Sequence, residues 1–174
     1  MADHDKPQGP VSIDSLAWSE WSRGVRFASR FRVLSDTRNG GRKIGIAYEE
    51  LPPGKQSVPF HYHLLEEEHI VALEGEATLR LGSERHRLKA GDYVCFPAGH
   101  PAGHCLVNET AAPFRFLIIG DHQPNEVCLY PDSNKLMVRA LDRAVFRDGG
   151  RLDYWDGERE NEPVDHGPGR TAGS

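Results

Sequence analysis

Short runs of alternating apolar and polar residues, closely separated by turn residues, are the feature that most constrains how this chain can fold. Such runs are expected at about 58–63, 68–74, 76–81, 85–89, 93–96, 104–107 and 113–119. Period-two alternation is typical of strands in a sheet with one buried face, and the sequence has no long amphipathic helical stretch. Many short strands with frequent turns therefore predict an all-β sandwich or a small barrel.

Two further alternating runs precede this region. The first is formed by Val25, Phe27, Phe31 and Val33, and the second by Ile44, Ile46 and Tyr48. Each run predicts a half-buried strand with these side chains on its inner face. Residues 39–41 predict a turn between the two strands, and residues 17–23 predict either a short helix or an edge segment.

The length of 174 residues fits one domain. We assign residues 1–20 to an N-terminal extension, 21–140 to the β-barrel and 141–174 to a C-terminal extension. Weaker strand patterns occur at about 127–130 and 136–138, and residues 141–147 predict a short helix or turn. From about 156 onward the chain is charged and rich in glycine and proline, which predicts disorder.

The net charge of -5 argues against nucleic acid and against anionic membrane surfaces as partners. No apolar run approaches the roughly 20 residues that span a bilayer, and the N-terminus lacks the pattern of a secretory signal. The sequence contains three cysteines, Cys95, Cys105 and Cys128. An odd and sparse set of this kind predicts free thiols in a reducing cytoplasm.

A possible metal site is indicated by four residues, His61, His63, Glu68 and His104. Residues two apart on a strand point to the same side, so His61 and His63 can reach one point. Glu68 can join them only if the chain bends between the two strands, and we expect an antiparallel hairpin there. Three imidazoles and a carboxylate suit Fe, Ni, Cu, Zn or Mn. The alternative is exposed strand histidines beside a solvated acidic turn.

The order of these residues resembles the two motifs of the cupin superfamily. The first motif is matched by His61, His63, Glu68 and Gly75, and the second by Gly91, Pro97, Gly99, His104 and Asn108. The resemblance covers about residues 54–108 and implies a jelly-roll β-barrel, the double-stranded β-helix. Four residues instead of two separate Gly99 from His104, so His100 is a rival fourth ligand. We favour His104 because its spacing to Asn108 matches the motif.

A narrower resemblance is to small bacterial single-domain cupins that carry the label of sugar-phosphate isomerase. It depends on residues 97–108, 130–132 and 153–158. The resemblance implies one divalent transition metal, Fe, Mn, Zn, Ni or Cu, on the four ligands, and a homodimer. It implies either an enzyme on a small polar metabolite, of isomerase or dioxygenase type, or a cupin that only binds or senses a small ligand. In the enzyme, Glu68 could also act as general base if it leaves the metal.

Several other polar residues have simple structural interpretations. Asn108 is expected to order a strand end. His69 and Cys105 neighbour proposed ligands in sequence and therefore face the opposite side of their strands. His86 and His122 have no partner at a suitable spacing and are expected on the surface.

Overall fold

The computed structural model describes residues 9–35, 43–154 and 156–157. These residues form thirteen strands: β1 Ser19–Arg23, β2 Phe27–Ser35, β3 Ile44–Leu51, β4 Tyr62–His63, β5 Glu68–Glu74, β6 Glu76–Leu81, β7 Glu84–Lys89, β8 Tyr93–Phe96, β9 His104–Val107, β10 Phe114–Asp121, β11 Val127–Tyr130, β12 Lys135–Val138 and β13 Ala144–Arg147. Among the described residues, helical structure is limited to single 3-10 turns at Ile13–Ser15, Pro131–Ser133 and Arg139–Leu141. None of the described helices is long and apolar enough to cross a membrane.

The strands form two facing walls. The first wall is a six-stranded sheet in the order β1-β2-β3-β10-β5-β8. The second consists of a three-stranded sheet, β7-β6-β9, and a four-stranded sheet, β13-β12-β11-β4. All strand pairs are antiparallel, and neighbours in a sheet are often distant in sequence, as in a jelly roll. The predicted all-β jelly-roll barrel is confirmed.

A bridge between two histidines joins the parts of the second wall. The amide of His104 donates to the carbonyl of His61 at 2.7 Å, and the amide of His61 donates to the carbonyl of His104 at 3.2 Å. This bridge connects the start of β9 to the residue before β4. Two of the four predicted metal ligands are therefore paired through their backbones.

The hydrophobic core lies between the walls and contains buried side chains from both. The first wall contributes Leu51, Ile70, Ala72, Phe96, Phe114 and Phe116, and the second contributes Ala77, Leu79, Leu88 and Leu106. At about 25 cal/mol per Å² of apolar surface removed from water, these side chains supply the main stabilisation of the barrel. Asn108 is fully buried and donates to the carbonyls of Leu51 and Ala112. Its expected structural role is confirmed.

The first two predicted strands exist, but their inner faces differ from the prediction in part. Val25 is wrong as a strand residue, because it lies in the turn before β2 and is 90% exposed. The face with Ile44, Ile46 and Tyr48 is the outer one, since Tyr48 packs against Trp18, with ring centroids 5.7 Å apart. The inner face of β3 instead carries Glu49 and Leu51. Of the two alternatives for residues 17–23, the edge segment is correct.

Two local predictions, the hairpin after His63 and the helix or turn at 141–147, are wrong at least in part. β4 and β5 do not form a hairpin: β4 pairs with β11, whereas β5 pairs with β8 and β10. Residues 144–147 are not helix or turn, because they form β13 and pair with β12. The predicted turn at 39–41 and the chain from 158 onward, for which disorder is predicted, lie outside the described residues.

Gly75 provides a test of the turn between β5 and β6. Its φ is +75°, and a Cβ there would lie 2.5 Å from the carbonyl oxygen of Pro113. We expect Gly75→Ala to lower the free energy of unfolding by about 3 kcal/mol, through backbone strain and this clash. Gly91 also has a positive φ, +91°, but open space around it, so Gly91→Ala should cost about 1–2 kcal/mol. Urea denaturation measures both, and equal losses would contradict the clash.

Candidate metal centre

Three strands and one bridge bring the four predicted ligands together. His61 precedes β4, His63 ends β4, Glu68 begins β5 and His104 begins β9. One donor atom from each of the four residues lies within 4.8 Å of the donor atoms of the others. His61 and His104 are buried, at 8% and 3% exposure, while His63 and Glu68 are half-buried. The side chains therefore form one compact group that is largely shielded from water.

The hydrogen bonds of His61 and His63 determine which ring nitrogens carry protons. The Nδ1 atom of His61 lies 2.9 Å from the carbonyl oxygen of Pro59, which can only accept, so this nitrogen must be the donor. The Nδ1 atom of His63 lies 3.2 Å from the Glu126 carboxylate, which is also an acceptor. In the neutral rings, both Nε2 atoms are therefore left with bare lone pairs.

These two bare nitrogens face each other. The Nε2 atoms of His61 and His63 are 3.2 Å apart, and two acceptors at this distance repel unless a proton or a cation lies between them. Burial lowers the pKa of His61 to about 4; the neighbouring rings of His104 and His63 add to this shift, and the charge of Glu68 opposes it. His61 is consequently neutral at physiological pH, in the state that binds a metal ion.

Glu68 completes the donor set. One carboxylate oxygen lies 3.1 Å from the Nε2 of His104, and the other lies 3.7 Å from the Nε2 of His63. Burial alone would raise the pKa of Glu68, but the hydrogen bond from His104 and the nearby rings of His63 and His61 hold it well below its usual range. The ring of Phe96 stacks on that of His104 at 3.7 Å, with the planes 4° apart, and fixes its orientation. The group fits a transition metal with nitrogen and oxygen ligands.

The rival ligand His100 lies apart from this group. It is exposed, and its Nδ1 accepts from the amide of Ala102 at 3.3 Å. Among the described residues, the converging group contains His104 and not His100. His100 instead lines a cavity of about 190 Å³ at the edge of the group, and His63 and His104 also line this cavity. The assignment of the ligands themselves stays a prediction that metal analysis tests.

Sequence reasoning missed Glu126, whose carboxylate fixes the chain between β4 and β5. Glu126 is fully buried, and it accepts hydrogen bonds from the amides of Leu64, Leu65 and Glu66 at 2.9–3.0 Å. These amides belong to the chain that leads from β4 to β5, so Glu126 replaces the expected hairpin. With its contact to His63, it orients a candidate ligand from behind. No spacing pattern marks a residue so distant in sequence.

Two neighbouring residues extend this network. Glu66 is buried and forms a bidentate ion pair with Arg139, in which one guanidinium nitrogen lies 2.9 Å from a carboxylate oxygen. The hydrogen bond that Arg139 donates to Glu66 raises the pKa of Arg139, although burial opposes the shift. Such a pair neutralises a buried charge beside the candidate ligands.

A second missed residue, Glu49, faces the candidate centre from β3. It lies opposite Phe116 on β10 and lines a cavity of about 140 Å³ together with the four donor residues. The hydroxyl of Ser29 donates to its carboxyl group. Burial raises the pKa of Glu49 to about 7; the Ser29 hydrogen bond opposes this shift and the charge of Glu68 adds to it. The alternation of Ile44, Ile46 and Tyr48 had indicated the wrong inner face and so hid this residue.

The other histidines and the cysteines whose positions the sequence predicts lie as expected. His86 and His122 have exposed side chains. Cys105 is buried, and His69 contacts Tyr93 at 2.8 Å on the side of β5 away from Glu68. Cys95, Cys105 and Cys128 are all free thiols, as predicted.

Comparison with known proteins agrees with the geometry. A family model described as the cupin domain matches residues 47–120, which include all four candidate ligands and Glu49. The chain belongs to the cupin superfamily. The predicted family is therefore confirmed, and the cluster of histidines and glutamate occupies the interior of a cupin barrel.

Three relatives are informative. Dimethylsulfoniopropionate lyase DddQ of Ruegeria pomeroyi is 31% identical over 130 residues, which are 71% of this chain and 63% of the lyase. The chain thus spans less than two thirds of that relative. A sugar phosphate isomerase from a cupin superfamily, of Silicibacter pomeroyi, is 29% identical, with a TM-score of 0.72 over 84% of this chain and 98% of its own. A protein of Acidithiobacillus ferrooxidans, provisionally named sugar phosphate isomerase, is 30% identical, with a TM-score of 0.58 over 70% of this chain and 73% of its own.

Replacing Glu126 tests its role in this centre. We expect Glu126→Gln to lower the free energy of unfolding by about 3 kcal/mol, because charge-assisted bonds to buried amides are weakened. It should also weaken metal binding about 10-fold or more, through His63. The control Glu109→Gln removes an exposed carboxylate that pairs with Arg85 and should cost about 1 kcal/mol or less. Denaturation and metal titration would contradict this role if the two variants behaved alike.

The pKa of Glu49 predicts a pH dependence of stability. Between about pH 4.5 and 7, the unfolded chain releases this proton while the folded chain keeps it, so the free energy of unfolding falls as pH rises. Glu49→Gln lacks this loss. In metal-free protein treated with chelator, the melting temperature of Glu49→Gln minus that of the parent should therefore increase across this window. A constant difference in thermal scans would show that the pKa of Glu49 is the same in the folded and unfolded chains.

Proposed function

We propose that this chain is a metal-dependent enzyme that acts on a small hydroxy-carbonyl metabolite. The observation that carries the proposal is the convergence of His61, His63, Glu68 and His104 on one cavity in the barrel. The bare Nε2 atoms of His61 and His63 lie 3.2 Å apart, close to the Glu68 carboxylate, and a cation bound between these donors would remove the repulsion of the two lone pairs. A cavity on one side of such a group leaves room for a substrate.

The four residues would hold a divalent cation, which would act as a Lewis acid toward a substrate oxygen. The protein's own groups have the supporting roles. The carbonyl of Pro59 and the carboxylate of Glu126 fix the rings of His61 and His63, and Phe96 fixes that of His104. The apolar side chains Ile70, Phe116 and Ile118 line the cavity and limit its water.

The reaction class depends on the metal. Zn or Mn favours isomerase or lyase chemistry, whereas Fe, Ni or Cu also allows dioxygenation. The relatives named sugar phosphate isomerase and lyase support the first class. We also propose a cytoplasmic location, which the three free thiols support. The homodimer stays a prediction.

Metal content decides whether this proposal holds. We expect mass spectrometry of protein without a histidine tag, reconstituted with each candidate ion, to find about one metal per chain. His61→Ala and His104→Ala should each lose most of this metal, because three donors in a site built for four bind much more weakly. The metal found then directs the assay, toward oxygen consumption for Fe, Ni or Cu and toward isomerisation for Mn or Zn.

The matched control is His100→Ala, which removes an exposed histidine outside the group and should keep the parent's metal. Loss of metal in His100→Ala but not in His104→Ala would reverse the ligand assignment. A parent that binds none of the ions would overturn the proposal. A parent that binds metal and small hydroxy ketones without turnover would be a binding or sensing cupin.

A further inference from the structure

Glu49 differs from every other carboxylate near the candidate metal centre in what surrounds it. Glu68 contacts two histidines, Glu126 accepts from three backbone amides, and Glu66 pairs with Arg139. Glu49 receives one hydrogen bond, from the Ser29 hydroxyl, and among the described residues no lysine or arginine forms an ion pair with it. It is therefore the carboxyl group of this region that is not already committed to a cation or to the backbone.

The position of Glu49 gives it access to whatever occupies the cavity. Antiparallel pairing places it opposite Phe116 on one side and Phe31 on the other, so its side chain points between the walls. It lines the same cavity of about 140 Å³ as His61, His63, Glu68 and His104. A molecule held beside those donors would lie beside the Glu49 carboxyl as well.

The charges that face Glu49 favour exchange of a proton. Across the cavity lie Glu68 from β5, His61 and His63 from the β4 region and His104 from β9, while the neighbouring strands β2 and β10 present Ser29 and Phe116. A half-buried carboxylate facing another carboxylate, with no paired cation, takes up a proton more readily than an exposed one. An acid that holds and releases a proton near neutral pH suits general acid–base work.

A three-carbon compound fits the cavity beside Glu49. A protein cavity of about 150 Å³ holds one benzene molecule, which has about six non-hydrogen atoms. The cavity beside Glu49 is about 140 Å³, and a three-carbon hydroxy ketone or hydroxy aldehyde has this number of atoms. Such a molecule would present two oxygens toward the donors and a C–H bond toward a carboxylate.

We propose that Glu49 is the catalytic residue that removes and returns a substrate proton in a three-carbon hydroxy-carbonyl compound. The Glu49 carboxylate takes the proton from the carbon next to the carbonyl group. The electron pair of the broken C–H bond forms a C=C bond, and the carbonyl oxygen takes the negative charge. Glu49 then gives the proton to the former carbonyl carbon, while the hydroxyl proton on the carbon that was deprotonated moves to the oxyanion. The deprotonated carbon becomes the new carbonyl group, so the isomer forms without an oxidant or reductant. This inference rests on the proposed function.

The test is exchange of substrate hydrogen for deuterium, followed by proton NMR in heavy water with dihydroxyacetone and glyceraldehyde as probes. The metal-loaded parent should exchange the proton next to the carbonyl group and interconvert the two compounds. Glu49→Gln should lower this rate about 100-fold or more, and Glu49→Asp should recover part of it. Glu74→Gln removes a carboxylate that is 65% exposed and should keep the parent's rate.

Metal content and probe binding, measured on the same samples, separate the possible causes. An unchanged metal content and probe affinity in Glu49→Gln, with exchange lost, would support proton transfer by Glu49. Exchange at the parent's rate in Glu49→Gln would overturn it. A metal-loaded parent that exchanges neither probe would overturn it too, while leaving the metal-binding part of the proposed function intact. A parent without metal would instead be the failure of the proposed function.

Discussion

The hydrogen bonds accepted by the Glu126 carboxylate are the constraint on which the candidate metal centre depends. They hold three successive amides of the chain between β4 and β5, and they orient His63 from behind. Because this chain crosses from the second wall to the first, the same carboxylate sets where β5 begins. Glu68 begins β5, so its distance to the histidines follows from an interaction made by a residue that is not a ligand.

The distribution of charge explains why the interior suits a cation. Glu68 and Glu126 contribute negative charge at the histidine cluster, while Glu66 is balanced by Arg139. The carboxylates Glu68, Glu126 and Glu66 raise the pKa of His63, although its burial opposes the shift. A divalent metal ion bound by the four candidate ligands would meet the same negative charge with a larger positive charge at a fixed position.

The sequence allowed the family, the barrel and the four converging residues to be predicted, because each depends on local order. His61 and His63 share a side by strand periodicity, and the motif spacing distinguished His104 from His100. The route from His63 to Glu68 was predicted wrongly, since a hairpin is the default for two adjacent strands, and only the distant Glu126 stabilises the alternative.

Glu49 was missed for a related reason. On β3 the outer face carries apolar residues, which Trp18 covers in part, while the inner face carries a glutamate at the cavity. Simple alternation assigns the apolar side to the core, and it fails where a polar residue faces inward for function. The burial of Glu49 depends on tertiary contacts, which the alternation of residues along one strand does not show. The buried ion pair of Glu66 and Arg139 was missed for the same reason.

The backbone bridge between His61 and His104 has a mechanical consequence. The same two residues join the halves of the second wall through their main chains and approach one point through their side chains. Any motion that separates the halves must also pull two candidate ligands apart. A cation bound by both side chains would therefore resist separation of the two sheets of the second wall, in addition to the two backbone hydrogen bonds.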